Sequence, residues 1–156
     1  MYLVRHFLPV LSFALLTGVC LSQDAANPWS ASDIVEAPAL AQEIQSAKPP
    51  VIFAVAFQEL YRSKHILHAI DGGTASKPEG LAILKTAVAN LAKDADIVIY
   101  CGCCPMVKCP NIRPAYRTLK ELGFTRVRVL NIPQNMSVDW YTKNYPSEPG
   151  SASQKK

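Results

Sequence analysis

The chain has 156 residues, 49% of them hydrophobic, and a formal net charge of +4. That is one domain's worth of sequence with apolar side chains enough for an ordinary core, which excludes a disordered chain. Its lysines and arginines are scattered rather than massed on one periodic face, which excludes nucleic acid as a partner.

In chain order, Arg5 and His6 precede an almost wholly apolar run from Phe7 to Leu21. The run is too short for a typical membrane span but has the length of a signal-peptide core. Cleavage is expected after Ser22, giving an exported protein, periplasmic or secreted. The membrane becomes a partner only if this segment stays uncleaved. The expected organisation is a signal peptide over 1–22, a spacer over 23–32, one domain over 33–147 and a flexible polar tail over 148–156.

Within the domain, helical spacing runs from Ala37 to Ala47 and stops at Pro49-Pro50. Val51 to Phe57 is an unbroken apolar stretch rich in β-branched residues, the pattern of a parallel strand buried on both faces. A short helix over 59–63 and a short strand near Ala69-Ile70 follow. Ser76, with Pro78 and Glu79 behind it, reads as the cap of a helix carrying Leu81, Leu84, Val88 and Leu91. Asp96 to Tyr100 is a second buried strand, expected at the centre of the sheet. Ile112 to Leu122 is helical and ends at Gly123. Val127 to Leu130 is a third strand, and a short helix is expected around Trp140 and Tyr141. Alternating strands and helices predict an α/β fold with a central, mostly parallel sheet flanked by helices.

Four cysteines, Cys101, Cys103, Cys104 and Cys109, fall within nine residues between a strand end and a helix start. No bridge among them would tie distant parts of the chain together, so they are a local site rather than a scaffold. Ligands of open parallel sheets bind at such strand ends, where loop amides and a helix N-terminus favour an anion. A thiol there is expected to have a lowered pKa, and the same field suits a persulfide anion. Lys108 and Arg113 flank the loop as solvated charges or as cations that help hold the anion. An Arg six residues after the cysteine, which would cradle phosphate, is missing. That position is Val107 from Cys101 and Pro110 from Cys104.

Residues 51–55 followed by Tyr61 and His65-Ile66-Leu67-His68-Ala69, then Asp96 to Cys101, then Leu119, Leu122-Gly123-Phe124, Val127, Leu130 and Trp140, resemble in order and spacing the rhodanese-like (sulfurtransferase) family. The resemblance implies the rhodanese-like fold, with Cys101 as the nucleophile that takes sulfane sulfur as a persulfide and no cofactor. Its partners would be a small sulfur-containing anion or a thiol acceptor. Cys104 is read as the relay or resolving thiol, and Gly102, Cys103, Lys108, Cys109 and Arg113 as the rest of the active loop. The departures are Ala54 and Ala56 where the family carries Asp and Arg, Pro133 to Met136 where it carries Gly-Gly, and a longer loop with three extra cysteines.

Two other chemistries stay open. Cys101 and Cys104 form a C-x-x-C suited to disulfide exchange. Alternatively, Cys101, Cys103, Cys104 and Cys109 are soft ligands for Cu(I) or Zn, although adjacent Cys103 and Cys104 point poorly to one centre. His65 and His68 are weaker metal candidates.

Overall fold

The computed structural model describes residues 27–150; the expected signal segment 1–22 and the end of the expected tail lie outside them. Strands β1 (Ile34–Glu36), β2 (Val51–Ala54), β4 (Ile70–Asp71), β5 (Ile97–Tyr100) and β6 (Val127–Asn131) form one sheet in the order β1-β6-β5-β2-β4. Every pairing in it is parallel. Strand β5 is central, as its apolar run requires. All four of its residues are buried. Strands β3 (Lys64–Ile66) and β7 (Ser147–Pro149) form a separate antiparallel pair.

Side-chain alternation splits the strand residues between two cores. Phe53, Ile97, Ile99, Val127 and Val129 pack under α3 (Pro78–Ala87) and α4 (Ile112–Glu121), joined by Leu84, Ala115 and Leu119. Ile52, Ala54, Val98, Tyr100 and Leu130 face α1 (Ala37–Glu43) and α5 (Met136–Asp139), joined by Leu40, Ile44 and Trp140. A helix α2 (Gln58–Ser63) connects β2 to β3. At the far end of the sheet from the cysteine loop, Arg128 donates to both Glu43 oxygens at 2.7 and 3.0 Å and to Asp96 at 2.9 and 3.0 Å. This clips α1 to the sheet.

Several local details differ from the sequence reading. Lys77, not Ser76, is the cap residue of α3, with Pro78 opening the helix. The backbone N–H of Ser76 instead reaches Asn111 Oδ1 at 2.8 Å. The short strands β1, β3 and β7 carry no apolar run that would announce them. Ordered structure also runs past both expected edges of the domain. Trp29 is buried edge-on against Tyr116 at 5.8 Å. Glu148, placed in the expected tail, pairs with His65 Nε2 at 3.3 Å and accepts from the His68 amide at 2.8 Å. His65 also sits 2.8 Å from the Tyr61 carbonyl through Nδ1 and stacks on the Tyr61 ring. It is a structural residue with both nitrogens engaged, while His68 is exposed.

Candidate active site

Strand β5 ends at Tyr100 and hands the chain to Cys101, which is 4% exposed. Burial alone would raise a thiol's pKa. Three donors oppose it. The Cys109 thiol, the side-chain amide of Asn111 at 3.3 Å and the backbone N–H of Cys103 converge on Cys101 Sγ. The Cys103 thiol lies 3.4 Å away. With the Cys109 thiol as the largest influence, these donors pull the Cys101 thiol from its ordinary 9.0 down to about 6. Cys109 moves the other way, pushed up by its interaction with Cys101 first and by burial second. Cys103 is pushed up to about 12, by desolvation first and by its hydrogen bond to Cys104 second. At neutral pH this ordering favours the thiolate on Cys101 over Cys103 and Cys109.

The helix N-terminus acts one step removed from where the sequence places it. The N–H groups of Asn111 and Ile112, opening α4, point at Cys109 Sγ rather than at Cys101. Cys109 Sγ in turn lies within 4.8 Å of Cys101 Sγ. Asn111, fully buried, occupies the cap position of α4 without capping it. Its carbonyl takes the Ser76 N–H and its amide faces the Cys101 sulfur, so a group that usually closes a helix instead ties two loops to the thiolate.

The remaining loop residues take different places. Gly102 adopts φ +86, and a Cβ there would collide with the Met136 side chain. Its carbonyl accepts from the Met136 amide at 3.0 Å. Cys104 Sγ rests against Cys103 at 3.2 Å, outside the group formed by Cys101, Cys103 and Cys109. Its position is therefore behind Cys103, not beside Cys101. Arg113 does not turn toward the thiolate. Its Nη2 donates to the Val107 carbonyl at 2.7 Å and to Asn27 at 2.9 Å, and its guanidinium lies over Trp29. It straps the loop. Lys108 is exposed.

Cys101, Gly102 and Cys103 form one wall of a cavity of about 320 Å³, closed by Ala54, Ala56, Tyr61, Met136 and Tyr141, with Lys64 at its edge. Ala54 and Ala56 leave this wall without buried charge, and both are nearly fully covered. Tyr141 lines the cavity and donates to the Lys64 carbonyl at 2.7 Å. The sequence reading missed Asn111 and Lys64 as site residues. Asn111 carried a signal, a lone amide side chain at the junction of a cysteine loop and a helix. Lys64 carried none.

No family model and no curated protein matches the chain in sequence. Solved structures match its fold. A protein from Bacillus halodurans aligns with a TM-score of 0.60 at 22% identity, over 80% of this chain and 82% of that one. The rhodanese-like domain of the Alr3790 protein from Anabaena aligns with a TM-score of 0.56 at 20% identity, over 79% and 83%. A 3-mercaptopyruvate sulfotransferase from Escherichia coli, described as having the rhodanese fold, aligns with a TM-score of 0.54 at 20% identity, over 76% of this chain and 52% of that one. The chain folds as a rhodanese-like domain, as the sequence resemblance implies.

Proposed function

We propose that the protein is a sulfurtransferase that carries sulfane sulfur on Cys101 as a persulfide. The observation that carries this reading is a buried cysteine sulfur, faced by the Asn111 amide at 3.3 Å, that forms part of the wall of a cavity. The Cys101 thiolate attacks the outer sulfur of a donor such as thiosulfate. The S–S bond of the donor breaks, and sulfite leaves with the electron pair. The persulfide then gives its outer sulfur to an acceptor thiol or to cyanide, restoring the thiolate. The donors that favour the thiolate favour the persulfide anion for the same electrostatic reason. The E. coli sulfotransferase sharing the fold supports this class of chemistry.

Buried Cys101 touches exposed Cys103, which in turn touches the part-buried Cys104. This order makes Cys103 the relay that reaches the surface where an acceptor can dock, with Cys104 behind it as a thiol able to resolve Cys103. The apolar segment 7–21 supports a place outside the cytoplasm, which is tested by whether the protein recovered from its cells begins after residue 22. The activity is tested by mixing reduced protein with thiosulfate and measuring sulfite. One sulfite per chain in a single turnover, followed by thiocyanate on adding cyanide, is expected. Sulfite release undiminished in Cys101→Ser would exclude the reading.

A further inference from the structure

The sulfur atoms of Cys101, Cys103 and Cys109 all lie within 4.8 Å of one another, although the residues come from three different points of the loop. A metal about 2.3 Å from each of three sulfurs holds them about 4.0 Å apart. The 3.4 Å pair of Cys101 and Cys103 needs to open by about 0.6 Å to reach that spacing. We propose that these three cysteines form a trigonal thiolate site for one Cu(I) ion.

Ligand softness and number select the ion. Thiolates favour Cu(I) and Zn, but structural zinc takes four ligands in a tetrahedron. Among the described residues, the group contains these three sulfurs and no histidine or carboxylate. Cys104, adjacent in sequence, is turned onto Cys103 and does not complete a fourth corner. The site is also furnished for anionic sulfur. The backbone N–H of Cys103 and the Asn111 amide point at Cys101, and the N–H groups of Asn111 and Ile112 point at Cys109. Such N–H donors orient the ligands and offset the charge of a metal–thiolate centre. Exposed Cys103 gives the ion an entry path to the two buried sulfurs. The site uses the proposed sulfur carrier but does not rest on sulfur transfer, because its test reads the metal alone.

The experiment adds Cu(I) without oxygen to the reduced full chain in the presence of the chelator bicinchoninate, then records X-ray absorption and maps alkylation of the loop cysteines. One copper per chain with three sulfur neighbours is expected, with Cys104 alkylated and the other three loop cysteines protected. Cys104→Ser should bind as tightly as wild type, and Cys103→Ser, at an exposed position that leaves folding intact, at least tenfold more weakly. Two sulfur neighbours in the wild type, protection of Cys104, or equal loss in Cys103→Ser and Cys104→Ser would overturn the proposal. So would tighter retention of Zn with four sulfurs.

Discussion

Replacing Asn111 with Asp isolates the electrostatics of the site. The substitution keeps the size and keeps an oxygen for the Ser76 N–H, but it puts an oxygen where an N–H now faces Cys101 Sγ at 3.3 Å. A hydrogen bond to a charged group contributes about 1.5–3 kcal/mol, and about 1.4 kcal/mol corresponds to one pH unit in a pKa. Losing this donor should raise the Cys101 thiol from about 6 to between about 7 and 8, before any repulsion from the new carboxylate is added. At pH 7 the thiolate fraction then falls from about nine-tenths to between about a half and a tenth. The assay is the rate of alkylation of Cys101 against pH, in a protein where the other loop cysteines are Ser except Cys109. The rate should climb through a midpoint near 6 with Asn111 and at least one unit higher with Asp. An unchanged midpoint in Asn111→Asp would refute the claim that this amide holds the thiolate.

Because the Cys101 thiol lies below its ordinary value, sulfur loading should gain rate as pH rises through about 6 and level off above it, measured by sulfite release. Cys104→Ser should retain single-turnover loading and Cys101→Ser should lose it, read by trapping the persulfide. Gly102→Ala forces a side chain into Met136 at a backbone angle few residues adopt, so urea unfolding should show a loss of about 1–3 kcal/mol. Ending the chain after Pro146 removes β7 and the Glu148 contacts to His65 and His68, and should cost about 1–3 kcal/mol in the same measurement.

The elements legible in the sequence were those whose burial forces a pattern. The unbroken apolar runs of β2 and β5 have to be covered on both faces, so they declare a parallel sheet and its centre. Gly123 closes α4 at φ +87 because a left-handed residue is required there. The three-residue strands β1, β3 and β7 stayed hidden, since each is fixed by partners far along the chain rather than by its own residues. The same division holds at the site. A cysteine at the end of a buried strand and before a helix could be read from order alone. Which neighbour the helix amides reach, whether Arg113 faces the sulfur or straps the loop, and which thiol touches Cys101 depend on how eleven residues from Cys101 to Asn111 fold back on themselves. Spacing does not specify those contacts, and Cys104, three residues on as a redox partner would be, ends beside Cys103 instead.

The most direct test of sulfur transfer is the intact mass of reduced protein after brief exposure to thiosulfate without oxygen. A gain of one sulfur atom per chain is expected, removable by cyanide or a small thiol, located on the peptide containing Cys101, and absent in Cys101→Ser. A mass unchanged by thiosulfate, or a gain of sulfur that persists in Cys101→Ser, would contradict sulfur transfer on Cys101.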